Sequence, residues 1–505
     1  INDDGHMDVV AGPLWWEGPD FKKAHSYASY KKFKLQGPGL SAYSDNFFTF
    51  PDKITRDDWV DILKVGIPGQ PAELAVNPGE SPYDPLNTER SCFHCKVQEH
   101  ICNESPQYVD ILPDTPPQLL SFSRNHIALA HPGEDPTKPW VVLNITPKDG
   151  ALGVFVHGLG VGDINGDGLG DVLEKRGWWE QPKDWDRKTP WKFHPHPFAP
   201  AQGGAQMFAY DIDGDGDNDV VTALNAHKWG MAWYEQVPDG NGGITFKTHT
   251  VMTDKPEDNP YGVAFSQPHA MACADIDDDG IKDVVTGKCF FAHNGRDPGA
   301  HDPAVLYWFR TVRNEGKAEL VPYLIDIDSG VGRQITAADV NGDKKIDIVT
   351  SNKKGTFVFL QTDTPQEPVK LPEPANPQDP KAPQVARTSV GGGILFEGES
   401  LAVARRAGNI RPQDLRSFGT VWSNHRHVWW TGSKPGDLIE FNLPPVKGGR
   451  YRIGVGLTKA IDYGDVEFNL DGKKISDAVD LYNDGVIHAG TVPLGEVHEL
   501  KDGPH

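Results

Sequence analysis

Long apolar runs are missing from this chain. No stretch approaches the roughly 18 consecutive apolar residues that a spanning helix needs, so the sequence contains no candidate transmembrane segment. Helical periodicity is nearly absent as well, which leaves strands as the expected regular structure. Cysteine is scarce, five in 505 residues, and leaves the redox compartment open. Basic residues are outnumbered: 49 Lys and Arg against 71 Asp and Glu give a net charge of −22, which opposes binding to nucleic acid or an anionic membrane. What is abundant is Gly (54) and Pro (42), as a turn-rich β protein requires, in a chain long enough for two cores.

Much of the acidity is concentrated in a short loop that recurs. It reads Asp163-Ile-Asn165-Gly-Asp167-Gly-Leu-Gly-Asp171 and returns with Asp211, Asp213, Asp215 and Asp219. Further copies carry Asp275, Asp277, Asp279 and Asp283, then Asp339, Asn341, Asp343 and Asp347. Oxygen side chains at loop positions 1, 3, 5 and 9, with Gly at position 6 in three copies, suit a hard cation such as Ca2+. A Val/Ile-rich run follows each copy, and the distal Glu and second helix of an EF-hand are missing. The expected role is structural, each cation stapling a hairpin that would otherwise hold too many like charges.

The chain opens inside a further copy, Ile1-Asn2-Asp3-Asp4-Gly5-His6-Met7-Asp8, which implies a strand and any signal peptide upstream. Two worn copies run from Lys53 through Asp57 to Asp61 and from Asp110 through Asp114 to Gln118. The copies recur every roughly 50–60 residues, the length of a four-stranded propeller blade with its loops. Short strand-like runs separate them, as in Val220-Val-Thr-Ala223 and Val305-Leu-Tyr-Trp308. Seven units predict a seven-bladed β-propeller over residues 1–361.

On these loops the chain resembles the FG-GAP/VCBS repeat family, the propeller type also found in integrin α-chain heads. The endings Trp15-Trp16-Glu17, Trp178-Trp179-Glu180 and Trp233-Tyr234-Glu235 resemble those of large bacterial propeller proteins of that family. Such endings serve either inter-blade packing or as sugar platforms. Among enzymes, the propeller is loosely similar to that of the aldos-2-ulose dehydratases, although no cupin-like segment accompanies it here.

Residues 362–390 are proline-rich and read as a semi-rigid linker. Strand patterning resumes over 391–505, with Asp437–Leu443, Tyr451–Leu457, Val466–Leu470 and an Asp471-Gly472 turn. This predicts a jelly-roll-like β-sandwich, which resembles carbohydrate-binding accessory modules. Trp422, Trp429, Trp430 and His425-Arg426-His427 are either a stacking site for sugar rings or core residues.

Cys92-Phe-His94-Cys95, with His100 and Cys102, has metal-ligand spacing, and a local disulfide with one thiol left over explains it equally. Haem attachment would need His where Lys96 stands. Cys273 and Cys289 flank one acidic loop and read as buried thiols.

Repeat register places the chemistry. In this family the acidic loops occupy one face, so the residue six before each first Asp opens an innermost strand on the opposite, top face. Those residues are Phe47, Glu104, His157, Ala205, His269 and Arg333. The same face receives Asn225-Ala-His227-Lys228-Trp229, the long loop from Phe290 through His293, Arg296 and Asp297 to His301, and connectors leading to Gln206 and past Tyr261. Rigidly placed loops of this kind carry binding and catalysis.

His157, His227, His269 and His293 are candidate ligands for Zn2+ or another divalent transition metal. With such an ion polarising a ketone or carboxylate, a His (His157 or His269) or Tyr261 would remove the α-proton and Arg333 would hold the developing charge. Glu104, Gln206, Arg296 and Trp229 are the candidate substrate contacts. Replacing His157 or His269 by Ala is expected to remove activity and leave melting almost unmoved. Two functions follow. One is a carbon–oxygen lyase, a sugar dehydratase or polysaccharide lyase, acting on a keto-sugar or uronate within an oligo- or polysaccharide. The other is a glycan- or protein-binding adhesion propeller without chemistry. Calcium-dependent loops favour the periplasm, the cell surface or secretion.

Overall fold

The computed structural model describes the chain except residues 30–42, 80–92, 201, 301, 315–316, 363–386, 391–392, 399–400, 416–425, 496 and 504. The fold is all-β. Among the described residues there is no α-helix, only 3-10 turns at Pro256–Asp258 and Ala292–Gly295. The chain forms two compact units, Ile1–Glu373 and Pro374–His505.

Among the described residues of the first unit, seven small up-and-down sheets follow one another, over 9–26, 48–98, 107–144, 159–195, 206–252, 268–326 and 335–359. Five have four strands, and the first and last have three. The fourth and fifth are fused, because Leu159–Gly162 pairs in parallel with Gln206–Tyr210. That approach demands glycine: a Cβ on Gly160 would sit 2.1 Å from the Met207 carbonyl oxygen. In the fourth to seventh sheets the second strand carries β-branched residues and is buried on both faces over most of its length, as in Asp219-Val-Val-Thr-Ala223, so it reads as a nearly continuous apolar run.

The core is divided into clusters that each bridge two successive sheets. Trp15 meets Ile62, Leu74 meets Leu119, Phe122 meets Val172, Leu173 meets Val220, Val221 meets Val284 and Val285 meets Ile348. The circuit closes where Val9 of the first sheet packs with Val340 and Val349 of the seventh. Gln334 locks that closure. Its amide donates to the Thr49 carbonyl and accepts from the Thr49 N–H, both at 3.0 Å, tying the seventh sheet to the second.

The ninth loop position has a role its spacing conceals. Asp219 is buried, and its Oδ2 accepts the Ile212 N–H at 2.9 Å while Oδ1 accepts the Gln236 N–H at 2.8 Å. Asp171, Asp283 and Asp347 repeat both bonds. Asp61 does so in a worn copy, and in the other Gln118 takes the N–H groups of Ile111 and Leu112. This carboxylate joins loop, second strand and third strand before any cation is considered. Burial pushes Asp171 and Asp219 up to about 7 and Asp283 to about 6.

The aromatic endings are packing elements. Trp15, Trp178 and Trp233 stack on His25, His194 and His249 with ring centroids 4.3, 4.0 and 4.1 Å apart. Each imidazole reaches the neighbouring Glu17, Glu180 or Glu235, which also accepts from Lys23, Lys192 or Lys247. This repeated Lys-x-His partner is not evident from the acidic-loop pattern.

The second unit consists of antiparallel strand pairs, among them Asn409–Asp414 with Arg426–Thr431 and Gly454–Lys459 with Ile487–Pro493. Two of the expected strands are present in shortened form, at Ile439–Asn442 and Asn469–Leu470, and the third is shifted to Gly454–Lys459. Asp471 and Gly472 take the left-handed backbone their turn requires. A strand at Arg387–Val390 falls inside the segment expected to be linker. Trp422 and His425 lie outside the described residues.

Candidate metal and ligand site

Residues opening the first strands converge, as the repeat register predicts. Nε2 of His157 and Nε2 of His269 lie 3.2 Å apart, and both side chains are fully buried. Oε2 of Glu104 is 3.7 Å from the first and 3.5 Å from the second. Arg333 donates Nε to the same Oε2 at 2.5 Å and Nη1 to the Cys289 sulfur at 2.9 Å, with its guanidinium 5.6 Å above the Phe47 ring. Ala205, the remaining residue of the set, is buried.

The electrostatics are those of a dry site. Burial depresses the basicity of both imidazoles, with Glu104 opposing it at His157 and Arg333 reinforcing it at His269. Burial also acts on Glu104, but Arg333 and the two imidazoles outweigh it and hold the carboxyl well below its usual range. Burial opposes the Arg333 charge, and Glu104 more than compensates. At neutral pH the site therefore holds a carboxylate–guanidinium pair under neutral imidazoles.

The third imidazole arrives from the next loop. His227 offers a ring nitrogen within 4.8 Å of those of His157 and His269. Its Nδ1 donates to Asp297 Oδ2 at 3.0 Å, while Nδ1 of His293 donates to Oδ1 of the same carboxylate at 2.9 Å. The two rings stack with centroids 4.3 Å apart. The side chain of His293 is 46% exposed and that of His227 19%, so the cluster runs from a sealed interior to solvent. Left-handed backbone at Phe291 and His293 turns this loop over the cluster.

The donor set fits a borderline-soft divalent ion. Two neutral rings meet nitrogen to nitrogen, where only one can donate, and a third nitrogen converges on them. Three of the four expected histidine ligands meet directly. His293 stacks on His227 and shares Asp297 with it, a second group of potential ligands that includes a residue the repeat spacing does not mark.

Other expectations need correcting. Tyr261 is directed at Glu319 on the outer strand of the sixth sheet, where burial and Glu319 raise it far above its usual value. It is not available as a base beside the histidines. Gln206 is buried with its amide used at both ends, Nε2 donating to the Arg333 carbonyl at 3.0 Å and Oε1 accepting the Met271 N–H at 2.9 Å. It ties two strands together, and both ends of its amide are already engaged by the backbone. Arg333 and Glu104 are mutually neutralised, so neither is a free substrate contact. Arg296 is exposed beside His293, and Trp229 is half-buried in the His227 loop.

Cys92 lies outside the described residues. Cys95 and Cys102 are free thiols directed at the Leu74 and His100 carbonyls, and neither belongs to a metal-ligating group among the described residues. Cys289 is buried as expected, and Cys273 is half-buried.

The acidic loops are built alike. Asp163 accepts the N–H groups of Asp167 and Gly168, and Asp275 those of Asp279 and Gly280. The sixth position is left-handed in every intact copy, at Gly168, Gly216, Gly280 and Lys344, which explains glycine in three of them. Asp211, Asp213 and Asp219 bring three carboxylates within 4.8 Å, as do Asp275, Asp277 and Asp279. Arg310 pairs with Asp277 at 2.6 Å and Asp279 at 3.0 Å, a counter-charge the loop pattern does not reveal.

No protein-family model matches the chain, and no curated protein matches it. Solved structures similar to it include the following two. A lectin of Agrocybe aegerita, described by its specific recognition of non-reducing terminal N-acetylglucosamine, aligns with 18% identity and a TM-score of 0.40, over 70% of this chain and 86% of its own. A biofilm matrix protein of V. cholerae aligns with 12% identity and a TM-score of 0.28, over 94% of this chain and 68% of its own. Likenesses at that level carry no residue correspondence and no functional argument.

Proposed function

We propose that the first unit is a seven-bladed β-propeller of the FG-GAP/VCBS type, that Ca2+ fills its intact acidic loops as a structural ion, and that the histidine face binds carbohydrate through a divalent transition metal. The circuit of seven sheets bridged by shared apolar clusters supports the propeller. The convergence of His157, His227 and His269 carries the functional reading. A bound ion would offer a Lewis-acidic position to an oxygen donor of the ligand. Arg296 and Trp229 beside the cluster supply the polar and aromatic groups that orient a sugar. The second unit is proposed as a jelly-roll-like accessory module. Loops that fill where Ca2+ is plentiful favour the periplasm, the cell surface or the exterior of the cell as the protein's location.

Binding is favoured over elimination by one observation: the groups that would carry the chemistry are engaged elsewhere. Arg333 is neutralised by Glu104, and Tyr261 faces Glu319. A carbon–oxygen lyase is the second reading. It is supported by the exposed His293, whose carboxylate-held ring provides a proton acceptor at the rim.

Elemental analysis of the purified protein, followed by a glycan array with and without the metal, tests both readings. Zinc-class metal at one equivalent and metal-dependent glycan retention support the binding site. Release of an unsaturated product from a retained keto-sugar or uronate glycan establishes the lyase. A protein that carries Ca2+ alone and retains no glycan overturns the proposal.

A further inference from the structure

Asp297 stands outside the converging nitrogens, yet both rim imidazoles depend on it. Its two oxygens take Nδ1 of His227 at 3.0 Å and Nδ1 of His293 at 2.9 Å, one each. The two rings lie nearly parallel, with 17° between their planes, at stacking distance. An ionised carboxylate only accepts hydrogen bonds, so each Nδ1 must carry its proton and each Nε2 must keep its lone pair. His157 and His269 have no such partner: their Nδ1 atoms are buried without a hydrogen bond. Of the three converging rings, only His227 has its Nδ1 held by a second residue; at His157 and His269 the nearby carboxylate is Glu104, on the Nε2 side at 3.7 and 3.5 Å.

We propose that Asp297 is the positioning residue of the cluster, pinning His227 and His293 in the Nδ1–H tautomer so that the Nε2 lone pair of His227 is presented to the converging nitrogens and that of His293 to the mouth of the site. This rests on the metal reading for its consequence and on the carboxylate geometry alone for its mechanism. Outer carboxylates of this kind fix ring orientation and raise ligand basicity, and removing one costs roughly 10–100-fold in metal affinity. The sharing is specific to Asp: Asn offers one oxygen acceptor where two Nδ1–H donors compete.

Two measurements on the full chain test it. Nitrogen-15 correlation spectra of histidine-labelled, metal-free protein report tautomers directly. His227 and His293 should both be Nδ1–H in the native protein, should shift towards mixed tautomers in Asp297→Ala, and should differ from each other in Asp297→Asn. Wild-type spectra showing either ring as Nε2–H overturn the positioning role whether or not metal binds. Cobalt(II) titration then reads the consequence. Native protein should give an intense tetrahedral visible spectrum, Asp297→Ala should bind roughly 10–100-fold more weakly with an altered band, Asp297→Asn should fall between, and His293→Ala should stay within about threefold of native. Equal affinity for native and both Asp297 variants overturns the proposal. If native protein binds no cobalt while its tautomers are as stated, the metal reading fails and the positioning role stands.

Discussion

Nε2 of His157 approaches Nε2 of His269 to 3.2 Å across 112 residues of chain. Both rings are fully buried at equivalent openings of two sheets, and burial keeps both neutral. The sequence alone predicts that Ala at either position leaves melting almost unmoved, but burial reverses that. His269→Ala should lower stability by about 2–3 kcal/mol through the cavity it opens. His269→Gln, which preserves most of the volume, should lose less than half of that and still abolish transition-metal binding. Calorimetry and elemental analysis on the two variants separate packing from ligation, and full metal retention in His269→Gln would remove the ring from the ligand set.

Glu104 and Arg333 are a buried pair beneath those rings, their side chains 5% and 10% exposed. Removing one partner strands the other charge, so Glu104→Met or Arg333→Met alone should cost about 3–5 kcal/mol. The double replacement leaves no charge behind and should recover at least half of the summed loss. Denaturant midpoints in a double-mutant cycle measure this. Additive losses would mean that the two side chains act independently.

The acidic loops contain two kinds of carboxylate. Asp219 holds two buried N–H groups, so Asp219→Ala should cost about 2–4 kcal/mol with Ca2+ or with EGTA. Asp215 lies at the exposed loop tip, and Asp215→Ala should matter only when Ca2+ is present. Chelation should lower the melting temperature of the native protein and narrow its difference from Asp215→Ala. Melting curves unmoved by exhaustive EGTA would end the case for structural calcium in these loops.

Legibility followed the repeat. A fixed offset of six from each loop suffices to bring Phe47, Glu104, His157, His269 and Arg333 together, because identical sheets bring identical positions to the same place. What depends on side-chain partners across repeats does not follow from spacing. Tyr261 belongs to the site by its connector, but its hydroxyl turns to Glu319 on an outer strand. Gln206 has the position of a ligand contact and is consumed by two backbone groups. Asp297 is visible in its loop, but nothing in one dimension shows that one carboxylate holds two rings from different loops. The ninth-position Asp reads as a cation ligand because one of its two backbone partners lies a strand away.

Lys288 is fully buried beside the site, donating to Gln267 Oε1 at 2.7 Å and to the Ala300 carbonyl at 3.2 Å. Burial drops its ammonium to about 8, below the ordinary value of 10.5. The folded state therefore gives up this proton before the unfolded state does, and between those two values the unfolded chain binds more protons. Stability from this group rises with pH across that window and is lowest below it. The swing is on the order of 3 kcal/mol, since each tenfold change in proton affinity is worth about 1.4 kcal/mol. Lys288→Met has no such dependence, so the stability of native protein relative to this variant should increase from pH 8 to pH 10, after the alkaline loss common to both is subtracted. Denaturation curves for the pair at pH 7, 8, 9 and 10 measure it. A constant difference would mean that the ammonium stays charged in its buried place, held by Gln267 and Ala300 more strongly than burial opposes it.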